Sequence, residues 1–366
     1  MKTAIHAPLK TGLSKNERKV LYYIVRYPML FDTEICSLMP MKLSTFCNIK
    51  KRLRDMGCYK VMNVPVFERI GCELLVVSYG FMERTSSIED RMKMARKMLD
   101  ECAEIFYIVS ESNQGINISV ARNYTDYDKD VQNFNWLYMK HGFLKPQGFV
   151  HMFFPFKTSY IYNLFNYSAA IDRFFGLGMG DDLSFSDESD FTAQQPMRSE
   201  VNLTRTEKLV YCGLIEYPEV PDTVLSKVLS VSKNTIAKAK KKFFDDALLV
   251  RRIVPNLGVL GFELLALTRI TFNPNATRQQ IGDGIGMLNS ILAPVLLASK
   301  SLEGIGLTPY RDFEDFQTRY SRALNVLSKR RLVVDEPVNY LLSIPHMTTV
   351  KNHVYAPLAK KLMDIQ

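Results

Sequence analysis

Apolar residues recur at helical spacing in three short runs near the start of the chain, and the same runs return 190 residues later. Val20, Ile24 and Tyr27 stand at i, i+4 and i+7, matched by Val210, Leu214 and Tyr217, which predicts one amphipathic helix in each place. Ser14-Lys15-Asn16-Glu17 and Thr204-Arg205-Thr206-Glu207 precede them. A hydroxyl followed three residues on by Glu closes two orphan amides and marks a helix start. Pro28 and Pro218 end these helices, because the residue before proline is driven out of helical conformation. Asp32-Thr33 and Asp222-Thr223 open a second, shorter helix with Asp expected at the N-cap. A third begins near Leu43 and near Lys233, with Phe46, Ile49 and Leu53, or Ile236, Ala239 and Phe243, on one face.

Downstream the period changes from helical to extended. Cys58–Phe67 and Leu248–Leu257 are β-rich and predict a wing after each trihelical unit. The runs starting at Gly71-Cys72-Glu73-Leu74-Leu75 and Gly261-Phe262-Glu263-Leu264-Leu265 predict strands. Helices are predicted over Ile88–Cys102 and Arg278–Leu292, then strands at Ile105–Ser110 and Val295–Ser299. A third strand follows Gly115 and Gly304, and a second helix enters at Asn123–Tyr127 and Asp312–Phe316, where the offset is 189. A last strand ends at Phe154-Pro155 and Ile344-Pro345, and extended helices are expected over Tyr160–Phe175 and Val350–Asp364. This order is the split βαβ, ferredoxin-like arrangement.

The repetition is literal as well as periodic. Between residues 13 and 76 the offset of 190 needs no gap, and 17 of 64 positions are identical, Tyr27-Pro28, Lys50-Lys51, Val64-Pro65 and Glu73-Leu74-Leu75 among them. The predicted fold class is therefore α+β, two tandem repeats of a winged helix-turn-helix followed by a ferredoxin-like βαββαβ module. Expected boundaries are 1–70 and 71–176 for the first repeat and 203–260 and 261–366 for the second. Residues 177–202, rich in Gly, Ser and Asp, read as an acidic flexible linker.

The net charge of +9 sharpens the picture once divided. Residues 1–70 carry 13 Lys/Arg against 5 Asp/Glu and residues 200–260 carry 10 against 7, a sum of +11, so the rest of the chain is at −2. Basicity confined to the helical units is the electrostatic footprint of a nucleic-acid binder. No apolar run approaches membrane-spanning length and the N-terminus lacks a signal-peptide core, so a cytoplasmic chain with no membrane partner is expected. The six cysteines form no C-x-x-C pair and read as reduced core fillers, with a thiol switch between Cys36 and Cys47 as the alternative. No His/Cys spacing suits a metal, and no cofactor motif occurs.

The third helix carries the candidate chemistry. Short polar side chains at the start of a recognition helix reach base edges, and lysines or arginines further along neutralise phosphates. The expected base-contacting residues are Ser44, Thr45 and Asn48, and in the second repeat Asn234, Thr235 and Lys238. The expected phosphate contacts are Lys42, Lys50, Lys51, Arg52 and Arg54, then Lys233, Lys240, Lys241, Lys242, Arg251 and Arg252.

A capped trihelical unit followed by G-x-E-L-L and a βαββαβ module resembles the Lrp/AsnC family of transcription regulators. The resemblance implies a pre-fused dimer binding double-stranded DNA, with a small-molecule effector and homo-oligomerisation as further partners of the kind that family uses. Because the two recognition faces differ, the expected target is an imperfect palindrome. Some proteins of this architecture are decarboxylases acting on sirohaem, and for that alternative the candidates are His141, His151 and Arg122. A protein-interaction scaffold is the third reading. With no recognisable catalytic motif, the sequence leads to the expectation of a regulator that is not an enzyme. Tyr124, Asp126, Phe313 and Asp315 are expected to cap and pack helices rather than touch a ligand.

Overall fold

The computed structural model describes residues 12–83, 102–111, 113–179 and 201–365, with a few isolated positions between 84 and 101. Most of the helix expected over 88–102 and most of the linker expected over 177–202 lie outside the described residues. The chain divides into two compact units, each assembled from separate stretches: 1–61, 159–192 and 251–345 in the first, and 62–158, 193–250 and 346–366 in the second.

The first unit opens with α1 (Lys15–Arg26), α2 (Asp32–Ser37) and α3 (Leu43–Asp55). The Ser14 capping box is formed in full, with the Glu17 carboxylate accepting from the Ser14 amide at 2.8 Å. Val20, Ile24, Phe46 and Leu53 are fully enclosed, so the predicted apolar faces of α1 and α3 meet each other. The start of β1 (Tyr59–Pro65) pairs here with the end of β7 (Leu249–Pro255), and the Cys58 carbonyl accepts from the Asn256 amide at 2.8 Å. The remainder is a five-stranded sheet in the order β11-β8-β10-β9-β6, built from β8 (Leu264–Thr271), β9 (Leu296–Lys300), β10 (Glu303–Tyr310), β11 (Val338–Ser343) and β6 (Tyr160–Leu164). Helices α9 (Arg278–Leu292) and α10 (Phe313–Lys329) pack on it around Phe272, Ile285, Leu288 and Leu327. A short helix, α5 (Ser168–Phe175), follows β6 and packs against α1, with the Arg18 guanidinium 5.4 Å from the Phe175 ring.

The second unit has the same parts. Its helical portion is α6 (Arg205–Glu216), α7 (Asp222–Leu229) and α8 (Lys233–Asp245). The capping box at Thr204 is again complete, and Val210, Ile236 and Phe243 are fully buried. The end of β1 pairs with the start of β7, where the Leu248 carbonyl accepts from the Val66 amide at 3.0 Å. Its sheet runs β12-β3-β4-β2-β5, from β2 (Leu74–Met82), β3 (Ile105–Ser110), β4 (Gln114–Ala121), β5 (Leu144–Pro155) and β12 (Thr348–Asn352). Helix α4 (Tyr124–Lys140) covers it, and α11 (Ala356–Met363) packs on α6. Phe67, Phe106 and Tyr355 form an aromatic core, with Phe106 and Tyr355 ring centres 4.9 Å apart.

Three expectations are corrected. The segments expected as continuous helices, Tyr160–Phe175 and Val350–Asp364, are each a strand followed by a two-turn helix. Each of these strands completes the sheet of the other sequence repeat, so neither repeat closes its own sheet: β6 pairs with β9, and β12 with β3. The two β-rich stretches taken for separate wings pair instead with each other as β1 and β7. Finally, Asp32 and Asp222 are the first helical residues of α2 and α7 rather than their caps, which leaves both carboxylates for a tertiary contact.

Candidate functional site

Recognition faces were expected on the third helix of each trihelical unit, and the local chemistry there is repeated. On α3, Ser44, Thr45 and Asn48 are exposed together with Lys42, Lys51, Arg52 and Arg54. On α8, Asn234, Thr235 and Lys238 are exposed with Lys233, Lys241 and Lys242. Ser232 caps α8, its hydroxyl 2.8 Å from that of Thr235, so Thr235 is held by its own helix start. Arg251 and Arg252 are half-buried on β7 rather than displayed.

Four of the expected phosphate contacts have carboxylate partners within their own helical unit. Lys50 Nζ lies 2.5 Å from Asp32, and its repeat counterpart Lys240 lies 2.9 Å from Asp222. Arg52 reaches Glu17 at 3.2 Å, and Lys242 reaches Glu207 at 2.7 Å. The first pair pins α3 to α2 and the second pins α3 to the capping box of α1, with the same pairings in α6–α8. Sequence reasoning read these as outward cations because it weighed charge without the partner across the turn.

A second site was only partly visible in the sequence. In the second unit a cleft opens between the sheet and α4. Ile105, Val131, Phe134 and Phe149 give it apolar walls. On its floor three side chains form a closed triangle. Ser78 Oγ is 3.0 Å from the Tyr127 hydroxyl and 2.8 Å from His151 Nδ1, and Tyr127 is 2.9 Å from the same nitrogen. Alternation along β2 and β5 puts Ser78 and His151 side by side as directly paired residues. Burial holds the His151 imidazole below its usual range and pushes the Tyr127 hydroxyl up to about 12, so both are neutral near pH 7. His151 Nε2 is buried without a partner among the described residues.

Carboxylates form the remaining wall. Glu104 pairs through Oε1 with Lys361, while its Oε2 is buried without a partner among the described residues. Asp130 faces the same cleft, and burial, then the charge of Glu104, raise its carboxyl above the usual range. Lys351 donates to the Cys102 carbonyl at 2.9 Å.

Of the three residues named for a decarboxylase, the structure brings only His151 to the cleft. His141 caps the exposed end of α4 against Phe143, and Arg122 is exposed with its guanidinium 3.3 Å from the Leu362 carbonyl. Tyr124 and Phe313 are exposed at helix starts, and the amides of Asp126 and Asp315 are capped by Asn123 and Asp312. Among the described residues no group of His, Cys, Asp and Glu is arranged to hold a metal ion. All six cysteines are free thiols. No helix among the described residues is long and apolar enough to cross a membrane.

Strand pairing also revises the internal alignment. At an offset of 190, Leu341 stands opposite His151, but in the first unit the residue paired with Thr268, the counterpart of Ser78, is Asn339. Thr268 Oγ1 and Asn339 Oδ1 are 2.7 Å apart. The polar pair is thus present in both modules, with the titratable ring in one.

No protein-family model and no curated protein matches the chain. Among solved structures, the siroheme decarboxylase NirDL superimposes over 95% of this chain and 99% of its own, with a TM-score of 0.51 and 10% identity. An AsnC family transcriptional regulator from Agrobacterium tumefaciens matches 38% of this chain and 90% of its own length, with a TM-score of 0.33 and 12% identity. AsnC of E. coli matches 39% and 92%, with a TM-score of 0.30 and 16% identity. The expectation that the chain is not an enzyme is therefore corrected: the structure matching nearly all of it is that of an enzyme, so this architecture gives no ground for setting catalysis aside. What the similarity establishes is the fold, a mixed α+β chain of helices and antiparallel sheets like that of the NirDL structure, compatible with a tandem duplication.

Proposed function

We propose that the chain is a sequence-specific DNA-binding regulator whose two recognition faces lie on α3 and α8. The observation that carries this reading is the repeated pair of faces. In each, exposed short polar side chains sit beside exposed lysines, Ser44, Thr45 and Asn48 with Lys51, and Asn234, Thr235 and Lys238 with Lys241. In both, an ion pair to the preceding helix sets the helix in place. Base contacts are assigned to those six polar positions and phosphate contacts to the expected cations. Lys50, Lys240, Arg52 and Lys242, each paired with a carboxylate, and Arg251 and Arg252, half-buried on β7, are the exceptions. The expected module limits at 70, 176, 202 and 260 are retained as part of this proposal. Since Asn48 stands where the second face has Lys238, the half-sites are similar but not identical. Selection from a pool of randomised duplexes tests this: an imperfect palindrome is expected, and recovery of two identical half-sites, or of no sequence preference, would contradict it.

A second reading, an enzyme working at the cleft, is favoured by the Ser78–Tyr127–His151 triangle, in which a neutral imidazole is desolvated beside two hydroxyls. Such groups suit proton transfer. The neighbour's siroheme is a poor guide to the substrate, because Glu104 and Asp130 would repel an acidic tetrapyrrole.

A further inference from the structure

The two modules of this chain share a framework but treat one place in it oppositely. Position seven of the covering helix is Asp130 in α4 and Arg319 in α10, counting from Tyr124 and Phe313. In the first unit the Arg319 guanidinium is buried. It bonds the Ile291 and Leu292 carbonyls and the Asp315 carboxylate, and lies 4.4 Å from the Tyr310 ring centre. That position is filled by a cation carried on the chain itself. In the second unit the corresponding residue is a short acid, and Pro294 is replaced by Glu104, leaving a cleft walled by two carboxylates and aromatic rings.

The donors nearby do not exhaust those carboxylates. Lys361 is taken by Glu104 Oε1, and Lys351 by the Cys102 carbonyl. Glu104 Oε2 is buried without a partner among the described residues, and Asp130, half-exposed at the cleft, meets the Lys361 ammonium through charge rather than through an ion-pair contact. Ionised carboxylates only accept hydrogen bonds, so both oxygens call for an incoming donor, and a charged one binds most strongly. The apolar walls require the rest of that molecule to be hydrophobic, and His151 Nε2 offers one further polar contact.

We infer that the cleft of the second unit is a binding site for a small amphipathic amine, its ammonium or guanidinium held by Glu104 and Asp130 and its apolar body against Val131, Phe134 and Phe149. The inference does not rest on DNA binding, and the first unit, with Arg319 in the corresponding place, has no such site. One such ligand binds per chain.

Phenethylamine is the probe and 3-phenylpropionate, of similar shape and opposite charge, its control. Calorimetric titration of the full chain without DNA should show binding of the amine and about tenfold or more weaker binding of the acid. Asp130→Asn should weaken the amine by about tenfold. Asp130→Arg, which copies the sister module, should abolish binding. Thermal unfolding of both variants shows whether the fold is kept, and the asparagine variant carries the test if the arginine one fails to fold. Equal affinity for amine and acid, no binding of the amine, or an amine affinity unchanged in Asp130→Asn would overturn the inference.

Discussion

Lys50 Nζ stands 2.5 Å from the Asp32 carboxylate, at the first turn of α2, and the contact is reproduced by Lys240 and Asp222 at 2.9 Å. Both partners are half-exposed, so the bridge contributes modestly to stability; its main effect is to hold the third helix at a set angle to the second. Lys50→Ala is expected to lower unfolding free energy by about 0.5–1 kcal/mol. Lys51→Ala, one residue along on the exposed face, should leave stability unchanged and weaken DNA. Urea unfolding of the two variants separates the roles; equal destabilisation would remove the distinction.

Glu207 offers a pH test of the same architecture. The Lys242 ammonium and the Thr204 cap hold its carboxyl down to about 2. A carboxyl depressed in the folded state adds stability above its unfolded pKa, near 4.5, and loses it as pH falls towards the folded value. The difference in unfolding midpoint between wild type and Glu207→Gln should therefore be constant above pH 5 and shrink between about 4.5 and 2. A difference that persists at the acid end would assign the effect to packing.

Arg319 is the buried cation of the first unit, and its removal leaves two helix-end carbonyls and the Asp315 carboxylate with fewer donors. Arg319→Met should destabilise the protein by about 2–4 kcal/mol, more than any surface lysine variant. Chemical denaturation reads this directly, and a loss under 1 kcal/mol would show the guanidinium to be replaceable by solvent.

His151 gives the same pH sign as Glu207, in a higher window and from burial rather than from a charged partner. Burial lowers its folded pKa beneath the ordinary 6.5, so the unfolded chain takes up the proton first as pH falls. Stability is full above 6.5 and declines below it. His151→Asn, copying Asn339, should flatten that decline, measured as thermal midpoint from pH 7.5 to 5.5. A variant with the same slope as wild type would place the titration elsewhere.

Much of this fold was legible because local rules and the repeat agreed. The two capping boxes, the proline stops and the apolar faces of α1, α3, α6 and α8 each follow from residues within one or two turns. What escaped the sequence was non-local. Tyr160-Ile161-Tyr162-Asn163-Leu164 is apolar on most positions, so neither period stands out, and only pairing with β9 makes it a strand. The two-residue shift that sets Asn339 rather than Leu341 in the place of His151 is a matter of register, which strand pairing decides. The lysines were misjudged for the same reason: Asp32 is 18 residues from Lys50, and charge counting cannot see a partner across two helices. The cleft left one trace, His151 and Tyr127 where the other repeat has no titratable ring, but its acidic wall needed three elements brought together.

DNA reading by α3 and α8 is tested by the salt dependence of affinity for the selected duplex, wild type beside the Lys51→Ala/Lys241→Ala double variant. Each phosphate contact contributes about 0.9 to the slope of log affinity against log salt. Wild type should show a steep slope, reduced by about 2 in the double variant, with both proteins equally stable. A slope that the double variant leaves unchanged, or no binding at low salt, would contradict a DNA-reading role for α3 and α8.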